Sequence, residues 1–136
     1  MTHPVADLQA SILTFLNADA PLIGFIGTDG IFDMAPKGKT GPHIAIVRHD
    51  LFTRDADEAP GYDHRIQFRV WNPSPSRAGV LAPAQRVVAV LLSQDLSTPT
   101  LAVTNVVHQR TDSAIDLKSG RAVATINFRI FSEPAS

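Results

Sequence analysis

Two stretches of the sequence alternate between apolar and polar residues, and this alternation restricts the chain to folds built on a sheet with two unlike faces. The first stretch is "HRIQFRVW", residues 64–71, which "NPSPS" then ends. One face of this predicted strand carries His64, Ile66, Phe68 and Val70, and the other carries Arg65, Gln67, Arg69 and Trp71. A strand of this kind buries one side and keeps the other polar.

The last predicted strand, "RAVATINFRIF", repeats the pattern over residues 121–131. One side carries Ala122, Ala124, Ile126, Phe128 and Ile130, and the other carries Arg121, Thr125, Asn127 and Arg129. Further strands are predicted at about 31–33, at 43–49 and at 100–112, with 113–122 as a hairpin connection whose turn suits Gly120. The segment 51–63 is predicted to be a polar, acidic connection.

Two segments have helical spacing. The first starts near Pro4, carries apolar residues from Val5 to Leu16, and is predicted to stop over 17–21. The second spans about 76–93, with Ser74 or Ser76 as its cap. Pro83 conflicts with a helix interior, where proline costs about 3 kcal/mol or forces a kink. Because the apolar spacing continues through the proline, a bent helix is predicted.

These elements predict a single α+β domain over residues 1–136, with a mainly antiparallel sheet and two helices packed on one face. The length suits one modest core. The N-terminus lacks a secretory pattern and the apolar runs are far shorter than a membrane span, so cytoplasmic synthesis and no membrane association are expected. A net charge of −1 disfavours stable binding of nucleic acid, although nucleic acid could still pass the protein.

The sequence offers no convincing catalytic or cofactor motif. The chain has no cysteine, which excludes disulfides, thiolate metal sites and cysteine nucleophiles. "KGKTG" ends like a phosphate-binding loop, but Asp33 stands where that loop needs glycine. "GFIGTDG" follows a helix, whereas a dinucleotide fingerprint follows a strand. No catalytic residue, metal site or cofactor is therefore predicted.

Histidines and carboxylates form no recognisable ligand set in the sequence. The five histidines are scattered, although neighbouring strands could bring His49 and His108 together. Asp55, Asp57 and Glu58 cluster, but their spacing fails the calcium-loop pattern and a solvated loop is favoured. A small α+β enzyme or ligand-binding domain that uses His49, His108 and this acidic loop is the alternative from another functional class.

The polar side of the two alternating strands allows two interpretations. A sheet face in water explains arginines and glutamine, but it explains Trp71 less well. Arginine and tryptophan are enriched where proteins bind one another. The candidates for a subunit interface or a channel lining are Arg65, Gln67, Arg69, Trp71, Asn127, Arg129, Asp55, Asp57 and Glu58.

Taken in order, four segments resemble the small tail-terminator, or tail-completion, proteins of long-tailed phages and gene transfer agents. They are "LQASILTFLNADAPLIGFIG", "IFDMAPKGKTGPHIAI", "HRIQFRVWNPSPSRAGVLAPAQRVVAVL" and "RAVATINFRIF". The resemblance covers almost the whole chain and depends on the order and spacing of these segments. Pro83 and the loop "LFTRDADEAPGYD" depart from the family pattern.

The resemblance implies a structural virion protein and no enzyme. Members form a ring, typically of six subunits, on the head-proximal end of the tail tube. The implied partners are copies of the same chain, the tail tube protein and a head-completion or stopper protein, and DNA passes through the channel without specific binding. Another connector of the head-to-tail joint, such as a stopper, is a second alternative.

The residues suggest how such a ring could close. Ring contacts join two different surfaces of each copy. We hypothesise that the face bearing Arg65, Arg69 and Arg129 either meets the acidic loop of the neighbouring copy or faces the channel. Charge reversal at Arg69 then separates the two cases, because only the first requires that arginine for ring formation.

Overall fold

The fold is described from a computed structural model, which covers residues 3–33, 38–55 and 60–135. Three helices and five strands follow one another along the chain. They are α1 (Pro4–Asn17), α2 (Ala20–Ile26), β1 (Ile31–Phe32), β2 (His43–Asp55), β3 (Pro60–Asn72), α3 (Arg77–Ser93), β4 (Leu101–Ile115) and β5 (Ala122–Pro134). The α+β class is confirmed.

The five strands form one mixed sheet in the order β1-β2-β3-β5-β4. The β2–β3, β3–β5 and β4–β5 pairs are antiparallel, but β1 lies parallel to β2 through Ile31 and Phe32. A sheet that is antiparallel throughout is therefore not observed.

The sequence prediction of two helices was wrong, because a third helix, α2, follows α1 directly. Residues 17–21 were read as a helix stop, yet they also contain a helix start. The Asp19 carboxylate accepts a hydrogen bond from the Leu22 N–H at 3.1 Å, and a proline stands in the first turn. An acidic cap followed by proline is a typical N-terminal signal.

The prediction of an acidic connection over 51–63 was also wrong for most of these residues, because 51–55 belong to β2 and 60–63 belong to β3. β2 and β3 pair continuously from Arg48 opposite Gln67 to Asp55 opposite Pro60. Residues with high strand propensity, including Phe52, Thr53 and Tyr62, extend the ladder past the polar positions. The β4–β5 hairpin is likewise longer than predicted, and its turn places Gly120 at a φ of 71°.

The helix α3 runs through Pro83, as the continuing apolar spacing predicts, and Ser76 is its cap. Proline has no N–H to donate to the carbonyl of Gly79 four residues earlier. The Asn72 side chain donates to that carbonyl instead, at 3.2 Å. A Cβ on Gly79 would lie 2.7 Å from the same amide nitrogen, so a larger residue here would displace the Asn72 side chain from this hydrogen bond.

The core joins the helices to alternate residues of the strands. On β5, the buried apolar residues are Ala122, Ala124, Ile126, Phe128 and Ile130, as the alternation predicts. Phe68 of β3 packs edge-on against Phe128, with ring centroids 5.8 Å apart. The helices contribute Leu8, Ile12, Leu16, Leu22, Val87 and Leu91.

Within the described ranges, no single helix has the length and apolarity of a membrane span. The helices α1 and α2 reach that length and composition only when taken together across a bend of 87°.

Candidate assembly surface

The polar sides of β3 and β5 lie next to each other, and we call this surface with its β2 and β4 neighbours the outward face. Arg65 stands opposite Arg129, and Gln67 stands opposite Asn127. Like charges placed directly across a sheet destabilise it. The arrangement of Arg65 and Arg129 therefore requires an anion close by.

Asp63 supplies that anion from the same face. Arg129 donates to both carboxylate oxygens of Asp63, with Nη2 to Oδ2 at 2.7 Å, and Arg65 Nη2 lies 3.5 Å from Oδ2. The carboxylate is only 4% exposed although it lies on the outward face. Hydrogen bonds from Arg129 hold the pKa of Asp63 below its usual value, against the opposing effect of burial.

Two phenylalanines support the guanidinium groups of this cluster. Arg65 lies over Phe52, 4.6 Å from its ring centroid, and Arg129 lies over Phe131 at 4.8 Å. Arg54 covers Phe131 as well, at 4.9 Å. Stacking on these aromatic rings fixes the orientation of the guanidinium planes. Phe52 itself remains about half-exposed.

Two further predicted residues on this face are engaged within the subunit. The Gln67 amide donates to Asn127 Oδ1 at 3.2 Å. Trp71 stacks on His43, with ring centroids 4.9 Å apart and planes at 19°. This stacking gives Trp71 a partner in its own chain, which sequence reasoning did not foresee.

Arg69 differs from the other arginines of the predicted set. Its side chain is exposed, and it forms no ion pair with any residue in the described ranges. Its strand neighbours are Ala45 on β2 and Thr125 on β5, neither of which carries a charge. Arg69 is therefore available to a partner.

The composition of the outward face is unusual for a surface in water. Its strand positions carry six arginines, four carboxylates and no lysine within the described residues. The arginines are Arg48, Arg54, Arg65, Arg69, Arg110 and Arg129, and the carboxylates are Asp50, Asp63, Asp112 and Glu133. Arginine and aromatic residues in place of lysine are typical of protein interfaces.

Of the predicted acidic cluster, only Asp55 lies in a described range of the chain. Asp55 is the last residue of β2, and Asp57 and Glu58 lie outside the described residues.

The histidines are arranged differently from the alternative that joined His49 to His108. Because β3 and β5 separate β2 from β4, the sheet holds those two histidines apart. His49 Nε2 lies 2.8 Å from His64 Nδ1, whereas His108 bonds to Thr111. That alternative site is therefore not formed as the sequence suggested.

His49 and His64 belong to a hydrogen-bonded chain that crosses the inner side of the sheet. The Gln9 amide bonds to His49 Nδ1 at 3.1 Å, and His64 Nε2 bonds to Ser132 Oγ at 2.8 Å. Burial lowers the pKa of both histidines to about 4, and for His49 the nearby His64 adds to the effect. The sequence did place His64 among apolar neighbours, which was the available signal.

No group of three or more histidine, aspartate or glutamate side chains in the described part of the chain is placed to hold a metal ion. The outward face is thus built of ion pairs, amide pairs and stacked rings. These groups suit recognition of a protein surface, with Arg48, Arg69 and Arg110 among its exposed charges.

Comparison with known families identifies the family to which the chain belongs. The family model described as tail completion protein gp17 matches residues 10–133. The chain belongs to the tail completion protein gp17 family. It is therefore a structural protein of a phage or phage-like tail, and its place is the virion.

A solved structure of the same fold accompanies this family match. One chain of a structure titled "Virion of native gene transfer agent (GTA) particle" superposes with a TM-score of 0.83 at 23% sequence identity. The match covers 97% of this chain and 99% of that one, so the two folds correspond along their whole lengths. No curated protein matches the sequence.

Proposed function

We propose that the protein forms a ring that caps the head-proximal end of the tail tube, ends tube polymerisation and joins the tail to the head-completion proteins. The observation that carries this proposal is the family match over residues 10–133. The fold shared with a chain of a gene transfer agent virion supports it. DNA passes through the centre of the proposed ring without specific binding, in keeping with a net charge of −1.

The geometry of the sheet supports ring formation, because both of its ends leave strand edges available. At one end, β1 pairs only with Ile44 and Ala45, so the edge of β2 that faces away from β3 has no strand partner among the described residues from Ile46 onward. At the other end, β4 is the outermost strand. Two different edges per copy are what a closed head-to-tail ring requires.

The outward face has one of two roles in this ring. In the first, its arginines meet the acidic segment of the neighbouring copy, with Asp55, Asp57 and Glu58. In the second, they line the channel. Since Arg65 and Arg129 already bind Asp63, Arg69 is the arginine that separates the two roles.

Charge reversal tests the role of this face. The Arg69→Glu variant should remain folded and lose the ring if the first role holds, as measured by native mass spectrometry. The matched control is Lys118→Glu, which reverses an exposed charge in the β4–β5 turn. A ring that survives Arg69→Glu would reject the contact with the neighbour.

Deletion of the gene tests the function itself. Particles made without the protein should contain tail tubes of uncontrolled length or tails detached from heads, as seen by electron microscopy. Expression of the intact chain should restore joined tails of uniform length. Joined tails of normal length without the protein would contradict the proposal, and a position between head and capped tail would indicate a stopper instead.

A further inference from the structure

A large apolar side chain at the end of α2, that of Phe25, is exposed to solvent and not buried in the core of the subunit. Phe25 is 47% exposed, whereas Leu22 and Ile26 of the same helix are buried and anchor it. Arg86 of α3 fixes the start of this helix, because its guanidinium forms two hydrogen bonds to Asp19, at 2.7 and 3.0 Å. Phe25 therefore projects from a firmly held element.

A groove of about 570 Å³ lies between α3 and β4, on the other flank of α3. Its lining is mostly apolar and includes Ala78, Leu81, Ala82, Gln85, His108 and Thr111. Alanines leave the space open, and Leu81 is partly exposed beside it. A groove of this size accepts an aromatic side chain.

The helix that carries Phe25 and the groove lie on different flanks of α3. The helix α2 leads into β1 at one end of the sheet order, and the groove borders β4 at the other end. Along α3, Arg86 points to α2, while Leu81 and Gln85 point to the groove. Surfaces on different flanks of one helix do not meet within one copy, but they can meet between successive copies.

The charges around the two surfaces are complementary. Residues 1–36 contain four aspartates and no lysine or arginine. Asp29 and Asp33, which follow Phe25, are exposed and form no ion pair within the described ranges. Residues 64–94, which include α3, contain four arginines and no carboxylate, and Arg77 stands exposed next to Ala78 at the groove.

We propose that copies of this chain bind head to tail, with Phe25 of one copy seated in the α3–β4 groove of the next and Asp29 and Asp33 facing Arg77. This inference rests on the proposed ring and names the contact that closes it. The buried aromatic provides the anchor, and the charges set the orientation. Each copy presents one exposed Phe25 side chain, which we call the knob, and one α3–β4 groove. The contact therefore repeats from copy to copy until the ring closes.

Three variants test the contact by native mass spectrometry of the full-length protein. Phe25→Ala removes the knob and Ala82→Trp fills the groove at an exposed position, and each should weaken the contact at least tenfold and leave folded monomers. Leu117→Ala is the control. Leu117 is 96% exposed in the β4–β5 turn, away from the proposed contact, so this variant should form rings like the wild type. Rings of wild-type stability in both Phe25→Ala and Ala82→Trp would overturn the inference.

Mixing the two damaged variants gives a sharper result. A Phe25→Ala copy keeps its groove and an Ala82→Trp copy keeps its knob, so one intact contact forms between them. The mixture should give heterodimers of one copy each, whereas each variant alone stays monomeric. Absence of heterodimers, or equal dimerisation of each variant alone, would overturn the inference.

Incorporation into particles separates failure of the inference from failure of the proposed function. Cells lacking the native gene should incorporate Leu117→Ala normally and both contact variants at least tenfold less, as measured by mass spectrometry of purified particles. Normal incorporation of both contact variants would overturn only the contact. Absence of the wild-type chain from tails would instead refute the proposed function.

Discussion

The two sides of β3 share one strand but serve different purposes. On the inner side, His64, Ile66, Phe68 and Val70 are almost completely buried. On the outward side, Arg65 and Arg69 are exposed, and Gln67 and Trp71 are partly covered. The inner residues hold the subunit together, so they are not free to bind anything else. Among the outward residues, Arg69 is exposed and forms no ion pair with a described residue, so it can be changed with little effect on folding and is available for assembly.

Asp63 and His64 sharpen this comparison because they are neighbours in sequence and both are buried. The loss of contact with water is compensated differently for these two polar groups. Asp63 stays charged between two arginines on the outward face, whereas His64 is held in a chain of neutral hydrogen-bonding groups on the inner side. A buried charge needs a paired charge, and a buried neutral group needs only a hydrogen-bond partner.

The largest effect on stability is expected from the inner side. Phe68→Ala should lower the free energy of unfolding by about 3–5 kcal/mol, because it leaves a cavity beside Phe128. Urea denaturation followed by circular dichroism measures this loss. Arg69→Ala on the outward side provides the comparison. Equal losses in the two variants would mean that the two sides do not differ in purpose.

The histidine chain predicts a pH dependence on the inner side. His49 and His64 have pKa values near 4 when folded and ordinary values near 6.5 when unfolded. The unfolded state therefore binds more protons between these values, so stability should fall as the pH drops from about 6.5 towards 4. Between pH 7.5 and 5 we expect each histidine to contribute a loss of about 2 kcal/mol, or up to about 4 kcal/mol for the pair, since one pKa unit corresponds to about 1.4 kcal/mol for each group.

A variant separates this effect from the titration of carboxylates. In His64→Gln, one of the two histidines is absent, and urea midpoints measured over the same pH range should change about half as steeply. Asp50 and Asp63 lie near the pair and are retained in both proteins. An identical slope in the variant and the wild type would contradict the account of the histidine chain.

A smaller loss is expected at Asp63. Asp63→Asn removes the charge but keeps the shape, and it leaves Arg65 and Arg129 without their anion. Because both arginines are partly exposed, water compensates in part, and the expected cost is about 1–2 kcal/mol in thermal or urea unfolding. No change in stability would show that the cluster serves only assembly.

The smallest effect on folding is expected at Arg69. Arg69→Ala should change the free energy of unfolding by less than about 0.5 kcal/mol, since the side chain is exposed and pairs with no described residue. Its effect, if the face meets a neighbour, should appear in the oligomeric mass instead. A loss of stability comparable to that of Asp63→Asn would place Arg69 among the residues that hold the subunit together.

The alternating strands could be predicted from the sequence because a period of two is a local property. β5 and the inner side of β3 follow the pattern residue by residue. The helix α2 was missed because Asp19 and Pro21 suit the end of one helix as well as the start of another. The extension of β2 and β3 was missed because strand pairing outweighs the polar composition of residues 51–63.

The contacts within the site could not be predicted in the same way. The Asp63–Arg129 and His49–His64 pairs join residues that are distant in sequence or on different strands, and they depend on the register between strands. The register does place Arg65 opposite Arg129 and Gln67 opposite Asn127, and the role of these residues in assembly stays a prediction. The side-chain positions were needed to show which of these residues are already paired within the subunit.

The most direct test of the central claim is a cryo-electron microscopy reconstruction of the particle at the junction of head and tail. The account predicts a closed ring of copies of this chain on the head-proximal end of the tube, with Phe25 of each copy against the α3–β4 side of the next. Particles in which this chain is absent from the junction, or bound there as isolated copies, would contradict it.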